Sequence, residues 1–324
     1  MRAVRIHQLI GPKGLRVDEL DSPQPGSGEV QVTVHAAGVN FPEVLLSWGK
    51  YQLKPEPPFI PGGEAAGVVT ALGKGVEPLK LGDRVVLTTF AGAFAEQLVV
   101  SELSAVKLPD AVDFKVGAVT LLTYATTYHS LVDRAQLQPG ETLLVLGAAG
   151  GVGVAAIQLG KLLGARVIAA ASTPEKVAFC KQMGADEGIS YGTEDLKERV
   201  KALTGGDGAN VIYDPVGGSY SEAALRAIAW GGRFLVIGFA AGDIPKVPLN
   251  LILLKGCQVV GVYWGAFATR DPAKNRANSD LILQWVGEGK LKPHVDSTFD
   301  FAHAGEALEK LERRAVLGKI VLVP

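Results

Sequence analysis

The chain has 324 residues, enough for two domains or for one large one. Its 32 basic and 33 acidic side chains leave a formal net charge of −1, so no overall charge imbalance favours nucleic acid or an anionic membrane. Hydrophobic residues make up 48% and charged residues 20%, which excludes intrinsic disorder, and two cysteines are too few for a disulfide scaffold or a four-cysteine zinc site.

Residues 1–117 are rich in short β-like runs separated by turn residues. Strands are predicted at Glu29–Ala36, Gly67–Ala71 and Arg84–Thr88, whereas the prolines crowded between positions 55 and 61 exclude a helix there. The N-terminus lacks the apolar core of a signal peptide, and glycines interrupt the most apolar stretch, residues 142–159. We therefore expect a cytoplasmic protein with no membrane partner.

Residues 118–261 alternate strand-like and helix-like segments. This alternation, with nearly continuous apolar strands, predicts a parallel sheet covered on both faces. Strands are predicted at Thr142–Leu146, Arg166–Ala170, Asn210–Tyr213, Arg233–Ile237 and Gln258–Gly261, and helices near Val152–Leu163, Pro174–Met183, Thr193–Leu203 and Tyr220–Ala229.

The last segment, residues 262–324, returns to mixed structure. Helices are predicted near Asp280–Glu288 and Gly305–Arg313, and the chain ends in a β-like run that begins at Lys319. The prediction is an α/β protein in which a β-rich domain (1–117 and 262–324) is interrupted by a doubly wound nucleotide-binding domain (118–261).

A glycine-rich turn, Gly147-Ala-Ala-Gly-Gly-Val-Gly153, follows one predicted strand and opens the next helix. Glycines let the backbone approach a pyrophosphate, and the helix N-terminus offers N–H groups to the anion. The spacing differs from G-x-G-x-x-G, and a turn needed only for helix–sheet packing is the alternative. The strand–turn–helix context favours a dinucleotide site.

The second strand of this domain bears on the choice of cofactor. It ends in Ala171-Ser172-Thr173-Pro174-Glu175-Lys176, with no carboxylate at its tip, where NAD sites usually hold the ribose with Asp or Glu. Ser172 and Thr173 can donate hydrogen bonds and Lys176 adds positive charge, which suits a 2′-phosphate and favours NADP(H). The alternatives are a solvated lysine and a Thr-Pro helix cap.

Three motifs of the first domain carry a family resemblance. Gly38-Val-Asn40-Phe41-Pro42, the run from Phe59 to Val69 and Gly82-Asp83-Arg84-Val85 resemble the medium-chain dehydrogenase/reductase superfamily. Zinc alcohol dehydrogenases of that superfamily carry Cys where Asn40 stands and Gly-His-Glu where Gly62-Gly63-Glu64 stands. The resemblance therefore implies no catalytic zinc, and the structural zinc lobe is missing as well.

The resemblance narrows to the zinc-free quinone oxidoreductase, or zeta-crystallin-like, branch. The segment 140–153 followed by Gln158 and Lys161, together with Gly49-Lys-Tyr51, is similar to that branch, and the similarity extends to the terminal Gly318-Lys319-Ile-Val-Leu. It implies a GroES-like β-rich catalytic domain, a Rossmann domain with a doubly wound parallel sheet, and a cleft between them that holds NADPH.

The resemblance also implies a set of cofactor contacts. The pyrophosphate would lie on the glycine turn, the 2′-phosphate and ribose near Ser172, Lys176 and Tyr191, and the nicotinamide near Asn40 and Thr126. Phe239 and Trp264 have an alternative place in the core, and Lys319 on the surface. The implied residues are Asn40, Thr126, Gly150, Gly151, Val152, Ser172, Lys176, Tyr191, Phe239, Ala241, Gly242, Tyr263, Trp264, Arg314 and Lys319.

Without a metal, the substrate must already be electrophilic, as quinones and conjugated enones are. Hydrogen bonds from Asn40 or Tyr51 would stabilise charge developing on the substrate oxygen. The histidines show no metal-ligand spacing, and Asp214 is expected to cap or orient a loop. The expected activity is an NADPH-dependent quinone oxidoreductase. An enoyl or alkenal reductase is the alternative, and an RNA-binding or structural crystallin-like role is a third.

Self-association is the last expectation from the resemblance. The predicted strand Gln258–Gly261 would be an exposed edge that pairs with its twin across a two-fold axis, giving a homodimer.

Overall fold

The computed structural model describes all residues, Met1–Pro324, and they form two compact units. The first unit contains Met1–Leu122 and Pro272–Pro324, and the second contains Thr123–Asp271. The strands are β1 (Arg2–Ile6), β2 (Leu15–Glu19), β3 (Glu29–Val39), β4 (Glu64–Leu72), β5 (Arg84–Thr88), β6 (Gln97–Ser101), β7 (Ala105–Lys107), β8 (Thr142–Leu146), β9 (Arg166–Ala171), β10 (Glu187–Ser190), β11 (Ala209–Asp214), β12 (Ile228–Val236), β13 (Gln258–Gly261), β14 (Val295–Asp300) and β15 (Lys319–Val323).

Eleven α-helices accompany the strands, and one of them continues into a π-helical segment, His129–Arg134. They are α1 (Phe41–Ser47), α2 (Phe114–Gly117), α3 (Leu121–Tyr128), α4 (Gly151–Leu162), α5 (Pro174–Gln182), α6 (Leu196–Leu203), α7 (Ser219–Arg226), α8 (Leu249–Lys255), α9 (Trp264–Arg270), α10 (Pro272–Gly287) and α11 (Ala304–Glu312). No helix combines the length and the apolar composition that crossing a bilayer requires.

The first unit is built around the long strand β3. Its apolar side chains Val30, Val32 and Val34 alternate with neighbours on the other face and lie fully or almost fully buried, as one face of a half-buried strand should. In the seven-stranded sheet, β3 lies between β15 and β4 and also pairs with β6. Because β15 pairs antiparallel with the end of β3, the last residues of the chain rejoin the first segment, as predicted.

The second unit contains a six-stranded sheet in the order β10-β9-β8-β11-β12-β13, and all its strand pairs are parallel. Numbered within the unit, this order is 3-2-1-4-5-6, which is the Rossmann arrangement. Every residue of β8 is buried, since helices cover both faces of such a sheet. The order reverses between β8 and β11, and ligands of open parallel sheets bind at that point of the carboxyl edge.

The sequence prediction was wrong in several elements of the second half. The helix after β11 ends at Arg226 rather than Ala229, because Ile228 pairs with Ala209 and starts β12. Helices α8 and α9 were not predicted, and α10 begins at Pro272 rather than near Asp280. Proline suits the first turn of a helix, which explains the earlier start. The contact division falls after residues 122 and 271, and the expected boundaries lie after residues 117 and 261.

A large apolar surface lies on the second unit, at the edge of its sheet. Strand β13 pairs only with β12, so its other edge has no strand partner. Around it Trp230 is 80%, Leu249 79%, Leu253 78% and Leu254 69% exposed. Exposed apolar groups in such number on neighbouring elements are typical of a surface that a partner covers.

Candidate functional site

The glycine turn occupies the place where the strand order of the second unit reverses. Gly147 follows β8 with a φ of 57°, a left-handed conformation that glycine adopts without strain. Gly150 then precedes α4, and no side chain caps this helix start. Because the first turn of any helix leaves N–H groups without intrahelical partners, the turn presents Gly151 and Val152 as backbone donors for an anion.

Gly153 serves packing rather than the anion. A Cβ at this position would lie 2.5 Å from the Gly147 carbonyl oxygen and 2.6 Å from Ala148 backbone atoms, so only glycine lets α4 begin this close to the turn. Gly160, further along α4, likewise admits the side chain of Leu143 from the sheet. Gly153 and Gly160 therefore allow α4 to pack closely on the turn and on the sheet, and no side chain closes the N-terminus of this helix.

The residues predicted to contact the 2′-phosphate follow the carboxyl ends of β9 and β10, at one edge of the parallel sheet. Ser190 pairs with Ala171, so Tyr191 and Ser172 follow neighbouring strand ends, and the Tyr191 N–H donates to the Ala171 carbonyl at 3.0 Å. The Thr173 hydroxyl accepts from the Lys176 N–H at 3.3 Å and caps α5, as the capping interpretation predicted. Lys176 is partly buried in the first turn of α5, whereas Glu175 is exposed.

The loops after β11 and β12 are held together at the same edge. Asp214 accepts from the N–H groups of Val216 and Gly217 at 2.8 and 2.9 Å and from the Ser221 hydroxyl at 2.5 Å. The prediction that Asp214 orients a loop is thereby confirmed. The Ala241 N–H donates to the Val216 carbonyl at 2.8 Å, which places the 239–242 loop against this turn.

In the first unit, Asn40 belongs to a buried polar group. Its Nδ2 donates to Glu64 Oε1 at 3.0 Å and to the Gly38 carbonyl at 3.3 Å, and its Oδ1 accepts from Lys319 Nζ. Lys319, for which the sequence left a surface position open, is almost completely buried at the start of β15. Both N–H bonds of the Asn40 amide are thus used inside the unit.

Glu43 lies beside this group and was missed at the sequence level. It is 2% exposed in the first turn of α1, and its Oε2 accepts from the Asn40 N–H at 2.7 Å. Burial raises the pKa of Glu43 to about 7, against the charge of Lys319 and the Asn40 hydrogen bond, which lower it. Its position three residues after Asn40 was the available signal, since Asn-x-x-Glu is a helix-capping pattern.

Tyr51 belongs to an aromatic pair in the first unit. Its ring stacks on Phe90, with the ring centroids 6.3 Å apart and an interplanar angle of 24°. Phe90 is 44% exposed, so part of its ring is open to solvent. The sequence analysis did not single out Phe90, because aromatic pairs between distant loops leave no local pattern.

The remaining predicted cofactor residues lie on different elements of both units. Thr126 lies on α3 of the second unit, where its carbonyl accepts from the Ser130 hydroxyl at 2.6 Å. Tyr263 is 68% exposed after β13, and Trp264 begins α9. Arg314 is exposed in the first unit, with a φ of 56° just after α11. No three histidine, cysteine, aspartate or glutamate side chains lie together in a way that could hold a metal ion.

Comparisons with known proteins agree with this architecture. Residues 26–110 match the alcohol dehydrogenase GroES-like domain family, and residues 151–279 match the zinc-binding dehydrogenase family. A quinone oxidoreductase-like protein 2 homolog of Nematostella vectensis is 40% identical over 99% of this chain and 88% of its own length. The quinone oxidoreductase of Pseudomonas aeruginosa is 36% identical over 97% of both chains. The crystal structure of Escherichia coli quinone oxidoreductase complexed with NADPH has a TM-score of 0.95 and 32% identity over 100% of both chains.

The chain belongs to the medium-chain dehydrogenase/reductase superfamily, in its quinone oxidoreductase branch. Its first unit is the GroES-like domain and its second unit the Rossmann domain, as expected from the sequence. As a member of this superfamily the protein is an oxidoreductase.

Two positions in and beside the buried polar group of Asn40, Glu64 and Lys319 correspond to metal-ligand positions in zinc-dependent members of the superfamily. Asn40 and Gly63 stand where zinc members carry Cys and His, and neither is a thiolate or an imidazole here. A Cβ at Gly63 would lie 3.3 Å from Glu43 Oε1, so a histidine at that position would press on the Glu43 carboxyl. The donor set at this place therefore consists of carboxylate, amide and backbone oxygens, already occupied by the Lys319 ammonium.

Proposed function

We propose that the protein is an NADPH-dependent quinone oxidoreductase that works without a metal. The observation that carries the proposal is the uncapped start of α4 at the reversal of strand order, with Ser172 and Lys176 and no carboxylate at the neighbouring strand end. These residues fit an anionic dinucleotide with a 2′-phosphate. Bound NADPH supplies a hydride, and the quinone gains this hydride and one proton to become a hydroquinone.

We propose distinct tasks for the two units. In the Rossmann domain, Gly150, Gly151 and Val152 bind the pyrophosphate through backbone N–H groups, and the charge of Lys176 faces the 2′-phosphate. The other proposed cofactor residues are Asn40, Thr126, Ser172, Tyr191, Phe239, Ala241, Gly242, Tyr263, Trp264 and Arg314.

On the substrate side, the proposal assigns Tyr51 and Phe90. A quinone is a flat, conjugated ring, so the exposed part of the Phe90 ring offers it a stacking surface. The Tyr51 hydroxyl can donate a hydrogen bond to the oxygen on which negative charge develops. Both N–H bonds of the Asn40 amide are engaged with Gly38 and Glu64.

The cofactor part is tested by titrating the protein with NADPH and with NADH and following nicotinamide fluorescence. We expect a clear NADPH preference, and Lys176→Ala should reduce it by about tenfold, the equivalent of about 1.4 kcal/mol. Lys181→Ala, on the exposed side of the same helix, is the matched control and should keep the preference. Equal affinity for the two cofactors in the unmutated protein would overturn this part.

The substrate part is tested by turnover of benzoquinone and naphthoquinone against crotonyl-CoA and 2-alkenals. We expect quinones to be reduced fastest, since their reduction yields a stable aromatic product. Tyr51→Phe should lower kcat more than it raises KM if the phenol donates mainly in the transition state. Rapid reduction of crotonyl-CoA with no activity toward quinones would replace the proposal with an enoyl or alkenal reductase.

We further propose that the protein is a homodimer formed through the edge of β13. The edge strand offers unpaired backbone groups, and Trp230, Leu253 and Leu254 supply the apolar area that a self-complementary interface buries. Sedimentation at micromolar concentration should show a dimer, and Leu253→Asp should shift it to monomer. Leu162→Asp, which changes an exposed leucine at the end of α4, is the control. A monomer in the unmutated protein would overturn the proposal.

A further inference from the structure

Lys319 is an unusual residue for the interior of a β-domain. Its side chain is 7% exposed, and the ammonium nitrogen lies 2.8 Å from Glu64 Oε1 and 2.9 Å from the Val39 carbonyl oxygen and also donates to Asn40 Oδ1. Each of the three N–H bonds of the ammonium group has one of these three oxygens as its acceptor, so all of its hydrogen-bond donors are used. A buried lysine with every N–H bond used inside its own domain has no donor left for a ligand.

Glu64 is as completely engaged as Lys319. Its side chain is 0% exposed, and Oε1 accepts both from Lys319 and from Asn40 Nδ2. The other oxygen accepts from the Leu122 N–H at 3.1 Å. The carboxylate therefore connects the start of β4 to the start of β15, through Lys319, and to the first turn of α3.

Asn40 is the residue whose orientation this pair determines. An amide has one accepting end and one donating end. The ammonium of Lys319 faces the oxygen of Asn40, and the carboxylate of Glu64 faces its nitrogen. A rotation of the amide by half a turn would bring N–H against N–H and oxygen against carboxylate, so only one orientation is compatible with the two charges.

Stability alone does not explain such a pair. Replacing a buried ion pair with apolar side chains of similar volume is often neutral or stabilising, because both charges lose their hydration. In some proteins a buried pair also restricts its partners to a single arrangement. Here that partner is Asn40, at the junction between β3 and α1.

We propose that Lys319 is a positioning residue for the hydride-transfer reaction: together with Glu64 it fixes the Asn40 carboxamide in one orientation for the nicotinamide end of the cofactor. Lys319 acts through Asn40 and does not itself touch the cofactor. This inference rests on the proposed function, and it replaces the direct contact of Lys319 with NADPH that the family resemblance implies.

The first experiment removes the positive charge. Lys319→Met keeps the length of the side chain, and we expect at least a tenfold loss of NADPH affinity in the fluorescence titration, together with a lower melting temperature. The double variant Lys319→Met with Glu64→Gln removes both charges and should recover the melting temperature but not the affinity. Lys310→Met, which breaks a partly exposed lysine–aspartate pair in the same unit, is the matched control and should keep the affinity.

The second experiment restores the charge from outside. Lys319→Ala leaves space for a small amine, so methylammonium added to the variant should recover NADPH affinity, whereas tetramethylammonium, which cannot donate hydrogen bonds, should not. Rescue by the donating cation alone is a result that a merely structural side chain would not give. A wild-type affinity in the double variant, or no difference between the two cations, would overturn the proposal.

The third experiment tests whether Lys319 acts through Asn40. In an Asn40→Ala background, adding the two substitutions Lys319→Met and Glu64→Gln should cause no further loss of NADPH affinity. An additional tenfold loss would mean that Lys319 contacts the cofactor directly and would refute the inference. These readouts use cofactor binding alone, so an unmutated protein inactive toward quinones would refute the proposed function without deciding the role of Lys319.

Discussion

The buried carboxyl group of Glu43 makes the stability of the protein depend on pH. The direction and the approximate size of this dependence follow from the raised pKa of the group. Burial raises its pKa from the ordinary 4.5 to about 7, so the folded chain holds this proton at pH values where the unfolded chain has released it. Between these two values the folded state binds more protons, and each increase in pH therefore destabilises it. The difference between 4.5 and 7 corresponds to about 3 kcal/mol of stability that is lost by about pH 8.

Glu43→Gln removes the ionisable group and keeps an oxygen that can accept from the Asn40 N–H. We expect the variant to be more stable than the unmutated protein at about pH 8, by up to about 3 kcal/mol, and close to it near pH 5. Guanidinium unfolding at a series of pH values measures this difference. Glu77→Gln, which neutralises an exposed glutamate of the same unit, controls for the change in net charge.

The result that would refute this reasoning is a pair of parallel stability curves. If Glu43→Gln and the unmutated protein change equally with pH, the Glu43 carboxyl titrates alike in the folded and unfolded chains. A variant that is destabilised at every pH would also count against it, because the interaction that matters would then be the ionised carboxylate with the charge of Lys319.

Two further predictions concern the Rossmann domain. Gly153→Ala places a Cβ 2.5 Å from the Gly147 carbonyl oxygen, so it should cost about 1–3 kcal/mol of stability and weaken NADPH binding, measured by thermal unfolding and fluorescence titration. Gly265→Ala, where the nearest atom is 3.6 Å away, should leave the melting temperature nearly unchanged, and equal destabilisation by the two substitutions would contradict the packing role. Asp214→Ala leaves two N–H groups and a hydroxyl without their acceptor, and it should cost about 3 kcal/mol or more, which a melting temperature within a degree of the unmutated value would exclude.

Local patterns were sufficient for the Rossmann domain because its signals lie close together in the chain. The apolar run of β8, the glycines after it and the helix that follows form one continuous segment, and the structure has each of them at the predicted place. The segment 227–229 was misassigned for the same reason. Its two alanines favour a helix locally, but pairing of Ile228 with β11 makes it a strand.

The substrate-side features required contacts between distant parts of the chain. Phe90 and Tyr51 come from separate loops, and neither has a periodic pattern that points to the other. Lys319 is separated from Glu64 by 255 positions, so its charge could equally have been exposed.

By itself the sequence determined the alternation of most strands and helices of the Rossmann domain, the glycine turn and the absence of a carboxylate at the end of β9. These follow from composition, spacing and residue identity, which are local properties. Only the tertiary structure decided that Lys319, Glu64 and Asn40 form one buried group, because β15 pairs with β3 across nearly the whole length of the chain. Whether a charged side chain meets water or an opposite charge depends on which strands become neighbours, and that is a property of the folded chain.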